Sequence, residues 1–135
     1  MTVKVKAFIS FDYDNDLDLK NNLIAQSRNQ DTLLKIDDVS IQEPIINEKW
    51  KKRAREIIKK CDIVIFICGK HTDQAKGVSA EMTITNELKK PYILLKGRRR
   101  VTVQKPQGAL SSDEIVSWNW KRLSKSVLEK IKNRS

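Results

Sequence analysis

The fold is decided by residues 61–87, which read CDIVIFICGKHTDQAKGVSAEMTITNE. Residues 63–68 are six consecutive β-branched, aromatic or cysteine residues, a composition typical of a strand that is buried on both faces of a parallel sheet. The glycine-containing segment that follows predicts a loop at the carboxyl edge of the sheet, where open α/β folds bind ligands. A helix is predicted to start near Val78, and Glu81 would project from its first turn toward that edge. Glu81 is therefore a candidate reactive group.

Composition predicts one globular domain. The chain has 135 residues, of which 39% are hydrophobic and 33% charged, and we expect a single domain over residues 1–135. No apolar run reaches the roughly 18 residues that cross a bilayer, so no membrane contact is expected. Cys61 and Cys68 bracket one predicted strand and would lie about 20 Å apart, too far for a disulfide. We expect two buried thiols and a cytoplasmic location.

The net charge of +10 raises the question of a nucleic-acid partner. Six lysines and arginines lie within residues 51–60, but apolar residues recur there at core-facing helical spacing, as at Trp50, Ala54 and Ile57. This segment is therefore interpreted as the solvated face of an amphipathic helix. The arginine run at residues 98–100 follows a strand, and no zinc-finger spacing, aromatic RNA-binding strand or helix-turn-helix accompanies it. We expect no nucleic-acid partner and interpret the arginine run as solvated.

Strands and helices alternate along the chain. The predicted strands are residues 3–11, 33–36, 62–68, 92–96 and 115–118, and apolar spacing predicts four helices between and after them. Two details stay open: the second helix has Pro44 in its first turn or Asn47 as its cap, and residues 101–103 form a strand or a loop. The alternation predicts right-handed βαβ units. We expect an α/β, flavodoxin-like three-layer sandwich with a five-stranded, mostly parallel sheet.

Several common sites are excluded by the motifs that they require. The four glycines form neither GxGxxG nor GxxxxGK[ST], which excludes dinucleotide-binding and P-loop fingerprints. His71 is the only histidine, which argues against a His-based zinc centre. The aspartates of residues 12–18 imitate a calcium loop, but leucines occupy the places of its glycine and glutamate, and we expect no metal. A response-regulator receiver needs an aspartate where this chain has Cys68.

Glu81 remains as the candidate reactive group. In a helix that begins at Val78, it shares a sheet-facing side by i+3, i+4 and i+7 spacing with Ile84, Thr85 and Leu88. An acid at this buried edge favours a reactive role. The competing interpretation is an acid that the helix dipole stabilises near a helix N-terminus. The spacing alone leaves both interpretations open.

Five ordered blocks of the sequence resemble bacterial TIR-like domains. They are FISFDYDND (8–16), DDVSIQEPI (37–45), a tryptophan followed by a basic helix (50–60), CDIVIFICGKHT (61–72) and VSAEMTITNELKKPYILL (78–95). The motif Trp118-Asn119-Trp120 before the last helix also fits this pattern. The chain is most similar to the stand-alone, flavodoxin-like TIR-like proteins of Thoeris antiphage systems.

The resemblance implies an enzyme that cleaves NAD at the bond between nicotinamide and ribose. Such enzymes often make a cyclic or otherwise rearranged ADP-ribose signal, and in Thoeris systems that signal activates a separate effector. NAD is then the substrate, and no further cofactor is implied. The resemblance is also compatible with self-association between TIR-like domains.

The resemblance also assigns site residues by position. The catalytic glutamate is Glu81. The substrate-binding positions lie in the loops after the first and second strands and in the Gly-x-x-Thr turn, and they are Ser10, Phe11, Asp12, Asp38, Ser40, Gly69, His71 and Thr72.

A lone carboxylate suits this chemistry, because nicotinamide leaves well without a general acid and the transition state needs stabilisation of an oxocarbenium-like ribose. The family usually carries Ser-x-Trp-Val before the glutamate, where this chain has Ala75, Gly77 and Val78. The missing aromatic removes a wall of the expected pocket. The alternative functions are therefore a non-catalytic TIR-like scaffold and a nucleotide-binding module without turnover.

Overall fold

The computed structural model describes residues 3–29, 34–38 and 46–132. These residues contain four α-helices: α1 (Leu17–Asn29), α2 (Glu48–Lys59), α3 (Lys76–Glu87) and α4 (Trp120–Lys132). Four strands have five residues or more, and a fifth has two: β1 (Val3–Ser10), β2 (Leu34–Asp38), β3 (Ile63–Cys68), β4 (Tyr92–Lys96) and β5 (Ile115–Val116). A short 3-10 helix, Thr72–Gln74, lies between β3 and α3.

The strands form one sheet in the order β2-β1-β3-β4-β5, and every neighbouring pair is parallel. This is the flavodoxin-like order, in which the direction of winding reverses between β1 and β3. The carboxyl ends of β1 and β3 therefore open the crevice where such sheets bind ligands. The predicted parallel α/β architecture is confirmed. The last predicted strand, residues 115–118, is reduced to two residues that pair with Leu94 and Leu95.

The sheet separates two hydrophobic layers. Alternate residues of β1 face opposite layers, as strand geometry requires, and β3 is buried at every position. One layer packs β1 and β3 against α1 and α4, through residues such as Ile9, Leu23, Ile65, Leu123 and Val127. The other packs them against α2 and α3, through residues such as Phe8, Ala54, Phe66, Val78 and Met82.

Several predicted boundaries are wrong by one to a few residues. β1 ends at Ser10 instead of residue 11, and β3 begins at Ile63 instead of residue 62. β2 extends to Asp38, so the two aspartates at residues 37 and 38, predicted as loop, pair with β1. Their backbones continue the parallel ladder despite a low strand propensity. Residues 101–103 form no strand.

Two helix starts matter for the site. Asn47 caps α2, since its Oδ1 accepts a hydrogen bond of 2.8 Å from the backbone N–H of Trp50. α3 begins at Lys76, two residues before the predicted Val78, because the extended backbone of Ala75 ends the 3-10 helix and places the first helical turn directly after it. Glu81 consequently lies in the second turn of α3 instead of the first. This position weakens the helix-dipole interpretation, which applies to the first turn.

Two further expectations concern the whole molecule. Cys61 and Cys68 are buried thiols and form no disulfide, as predicted. Within the described residues, no helix is both long and apolar enough to cross a membrane.

Candidate active site

The candidate site is built around a hydrogen bond that joins β1 to α3. Ser10 is the last residue of β1, and its Oγ donates a hydrogen bond of 2.7 Å to Oε1 of Glu81. Strand alternation turns Ser10 toward the same layer as Phe8, where α3 packs on the sheet. Ser10 is fully buried and Glu81 is 5% exposed. The sheet edge thus holds a carboxyl group almost entirely out of water.

Burial changes the acidity of this group. Desolvation raises the pKa of Glu81 from the ordinary 4.5 to about 8, and the hydrogen bond from Ser10 acts in the opposite direction. At neutral pH the carboxyl group is therefore mostly protonated. Groups with strongly shifted pKa values cluster at functional sites, and Glu81 lies at the ligand-binding edge of the sheet.

A cavity of about 690 Å³ opens above this pair. Its volume falls in the range of small-molecule sites. The loop after β1 forms one wall, and the 3-10 helix and the start of α3 form the other. The lining residues are Asp12, Tyr13, Asp14, Asn15, Ile46, His71, Gln74, Ala75, Lys76 and Gly77.

Glu81 does not itself line the cavity but lies directly behind its wall. Gly77 is a lining residue, and Glu81 follows it by four positions on the same face of α3. Helical side chains lean toward the N-terminus of their helix, so the Glu81 side chain leans toward Gly77. A Cβ atom at position 77 would meet only Cδ1 of Ile46, at 3.4 Å, so this part of the cavity wall has room for a side chain.

The structure brings four of the predicted site residues together at this edge. Ser10 and Glu81 are hydrogen-bonded, and Asp12 and His71 line the cavity above them. Asp12 is 6% exposed and its carboxylate accepts hydrogen bonds within its own loop, whereas His71 is exposed.

The Gly-x-x-Thr turn has a structural arrangement. The backbone N–H of Gly69 donates a hydrogen bond of 2.7 Å to Oγ1 of Thr72, and Thr72 is fully buried. The threonine hydroxyl therefore closes the turn instead of facing the cavity. This turn ends at Thr72, the first residue of the 3-10 helix, which forms part of the cavity wall.

The other predicted site residues lie apart from Glu81 or outside the described residues. Phe11 is buried in the opposite layer, against α1 and α4, because successive side chains of an extended chain point to opposite faces and Phe11 follows Ser10. The aromatic residue at the cavity is Tyr13, which is 48% exposed. Asp38 ends β2, and its side chain lies outside the described residues, as does Ser40.

One arginine of the basic run, Arg98, forms ion pairs within the chain in addition to its partial exposure to solvent. The guanidinium group of Arg98 bridges Asp16, in the loop after β1, and Asp18, in the first turn of α1. Arg99 and Arg100 are exposed. No local sequence signal could identify this contact, because the partners are about 80 residues apart in the chain.

Sequence reasoning also missed part of the cavity wall. Gln74, Ala75 and Lys76 line the cavity, although only the residues from 78 onward were predicted as helix. Their position just before a helix at the carboxyl edge of the sheet is a signal that could have found them.

The matched segment of a known family covers this whole site. A family model that describes the TIR-like domain of the Thoeris protein ThsB matches residues 8–100. The chain belongs to this family. The match extends through β3 and β4 of the ThsB-type TIR-like domain and includes both partners of the Ser10–Glu81 hydrogen bond and every residue that lines the cavity. No curated protein sequence matches the chain significantly.

Proposed function

We propose that this ThsB-type TIR-like domain is an enzyme of antiphage defence that cleaves NAD at its nicotinamide–ribose bond. Its product would be a cyclic nucleotide derived from ADP-ribose, which would activate a separate effector. The observation that carries the proposal is the buried Glu81, hydrogen-bonded to Ser10 directly behind a cavity of small-molecule size. Family membership supports the same reaction class.

The bond cleavage requires no general acid. The C1′–N bond breaks, its electron pair stays with the pyridine nitrogen, and nicotinamide leaves as a neutral molecule while positive charge develops on the ribose. The ionised carboxylate of Glu81 stabilises that charge, and its burial makes the interaction stronger than it would be in water. The cationic ring of bound NAD favours the ionised form of Glu81, so binding releases the proton that the raised pKa holds in the free protein.

The product depends on which nucleophile reaches C1′. If a ring nitrogen of the adenine attacks, a cyclic product forms, whereas attack by water gives ADP-ribose and a released proton. Cyclisation requires that the substrate folds back on itself and that the site excludes water. The burial of Ser10 and Glu81 behind the cavity wall supports the exclusion of water from this carboxyl group.

The walls of the cavity have a charge distribution that suits NAD. His71 and Lys76 lie on the α3 side, where the Lys76 ammonium group can attract the diphosphate and a ring N–H of His71 can donate a hydrogen bond to it. Asp12 and Asp14 lie on the β1 side, where their carboxylates can accept hydrogen bonds from ribose hydroxyls. Tyr13 supplies an exposed ring on which a base can stack.

The proposal is tested by incubating purified protein with NAD and identifying the products by mass spectrometry. We expect nicotinamide and a cyclic ADP-ribose isomer from the wild type, and neither from Glu81→Gln. Glu87→Gln is the matched control, because Glu87 lies on the same helix but is half exposed and paired with Arg55. Equal turnover by wild type and Glu81→Gln would overturn the assignment of Glu81.

The second candidate is a non-catalytic scaffold that acts through protein contacts, including self-association. Two observations favour it: Glu81 is only 5% exposed, and the cavity wall has Gly77 at the position where the family usually carries a tryptophan. A scaffold would keep its function in cells after Glu81→Gln. A cytoplasmic location remains a prediction for either function.

A further inference from the structure

An ion pair joins the loop after β4 to the loop after β1. Nη1 and Nη2 of Arg98 donate to the two carboxylate oxygens of Asp18 at 3.0 and 2.9 Å. Nη2 also donates to the backbone oxygen of Asn15 at 3.0 Å and to Oδ1 of Asp16 at 3.2 Å. One guanidinium group therefore contacts Asn15 and Asp16 before α1 and Asp18 in the first turn of α1, a geometry that an ammonium group cannot reproduce.

Asp16 is the unusual partner in this cluster. It precedes α1 at the capping position, where an aspartate side chain normally accepts a hydrogen bond from the first helical turn. Its side chain is only 2% exposed, Oδ1 accepts from Arg98, and Oδ2 has no hydrogen-bond partner among the described residues. Burial raises the pKa of Asp16, and Arg98 opposes this effect. Helix capping thus does not explain the direction of this carboxylate.

Gly69 explains where the carboxylate goes. A Cβ atom at position 69 would lie 2.2 Å from Oδ2 and 2.6 Å from Oδ1 of Asp16, so any other residue at position 69 would displace the carboxylate from its place against the end of β3. Gly69 also begins the turn that Thr72 closes, and this turn leads to the opposite wall of the cavity. The Asp16 carboxylate therefore contacts Gly69. This contact joins residues 12–16, which form one wall of the cavity, to the turn that leads to the other wall.

The segment held by Arg98 is internally bonded. The backbone N–H groups of Asn15 and Asp16 donate to the backbone oxygen of Asp12 at 3.2 and 2.7 Å. The carboxylate of Asp12 accepts from the N–H of Asp14 at 3.2 Å and from Nδ2 of Asn15 at 2.7 Å. Residues 12–16 thus form one compact turn, and four of them line the cavity. A displacement of Asn15 and Asp16 would move this wall as a unit.

We propose that Arg98 is a positioning residue that sets the distance between the two walls of the cavity by holding residues 12–16 against Gly69. Arg98 does not line the cavity and would touch no substrate. The consequence for catalysis rests on the proposed function, in which the cavity binds NAD. The consequence for the loop does not, and the two can be measured separately.

The first test is hydrogen exchange of the backbone amides of residues 14–16. In Arg98→Gln we expect exchange to become faster by about tenfold or more, the factor that corresponds to one lost charge-assisted hydrogen bond. Arg99→Gln is the matched control, because Arg99 is the next residue and is exposed, and its exchange should equal that of the wild type. Equal exchange in all three proteins would overturn the proposal.

The second test separates positioning from the cost of an unpaired buried charge. Arg98→Gln leaves Asp16 without its partner, whereas adding Asp16→Asn removes that charge. We expect the double variant to regain thermal stability over Arg98→Gln but to keep fast loop exchange. It should also keep a KM for NAD raised by about tenfold with kcat within about threefold of the wild type. Arg98→Lys should recover KM only in part.

The possible failures are distinguishable. Recovery of both stability and KM in the double variant would mean that Arg98 only neutralises Asp16, and the positioning role would be wrong. If the wild type releases no nicotinamide, the proposed function fails, and the exchange rates of residues 14–16 alone decide the role of Arg98.

Discussion

Replacing Glu81 by glutamine is expected to stabilise the protein while it removes the proposed activity. The carboxyl group of Glu81 has a pKa of about 8 in the folded chain, against 4.5 for an ordinary glutamate. Between these values the folded state binds more protons than the unfolded state, so the free energy of unfolding falls by about 1.4 kcal/mol for each pH unit. The stabilisation is complete below the unfolded pKa and is lost as pH rises through the folded pKa.

This sign gives a magnitude at each pH. At neutral pH the free energy of unfolding of the wild type is lower by about 3 kcal/mol than that of a protein whose residue 81 cannot ionise. Glutamine has nearly the shape of protonated glutamate, and its Oε1 can still accept the hydrogen bond from Ser10. We therefore expect Glu81→Gln to unfold with a free energy higher than that of the wild type by about 3 kcal/mol at neutral pH, and by less than about 1 kcal/mol near pH 5.

The assay is urea denaturation of both proteins at several pH values between about 5 and about 9. The slopes of the free energy of unfolding against urea concentration are compared to verify that both proteins unfold in two states. Glu87→Gln serves as the control, since its half-exposed pair with Arg55 should contribute less than about 1 kcal/mol at any of these pH values. A difference between wild type and Glu81→Gln that stays constant across this range would refute the reasoning, because it would mean that Glu81 is ionised normally in the folded protein.

Three further substitutions test neighbouring parts of the site. Ser10→Ala removes the hydrogen bond that lowers the pKa of Glu81, so the pH at which kcat/KM for NAD reaches half of its maximum should rise above about 8; an unchanged or lower midpoint would contradict the role of this bond. Gly77→Ala should stabilise α3 by about 0.5–1 kcal/mol in urea denaturation, since the new Cβ meets only Ile46 at 3.4 Å; a loss of stability would show that a side chain does not fit at this position. Gly69→Ala should lower the free energy of unfolding by about 1–3 kcal/mol, because its Cβ would lie 2.2 Å from the carboxylate of Asp16, and wild-type stability would show that this contact relaxes freely.

The sequence predicts the order of strands and helices because each element carries its own local pattern. The run of residues 63–68 has no polar position, and it forms the central strand that is buried throughout. Helical spacing likewise predicts the closing helix α4, although β5, the strand before it, is only two residues long. Boundaries are less predictable: β2 includes two aspartates, since their backbones pair with β1 whatever their side chains prefer.

The candidate site is predictable only in its outline. Glu81 was found from its place after the central strand, and the resemblance added Ser10 and Asp12 without indicating that Ser10 bonds to Glu81. That bond joins residues 71 positions apart, and the Arg98–Asp16 pair joins residues 82 positions apart. Neither distance leaves a local pattern, because both pairs are created by the packing of the sheet edge. The burial of Glu81 that raises its pKa is a property of the same packing.

The most direct test of the central claim, that Glu81 is the reaction centre of an NAD-cleaving defence enzyme, is the nucleotide pool of phage-infected cells. Cells that express wild type, Glu81→Gln or Glu87→Gln at equal protein levels are extracted before and after infection and analysed by mass spectrometry. An NAD-derived nucleotide should appear after infection with wild type and Glu87→Gln and be absent with Glu81→Gln. The same nucleotide in Glu81→Gln cells, or protection by Glu81→Gln without any such nucleotide, would contradict the claim.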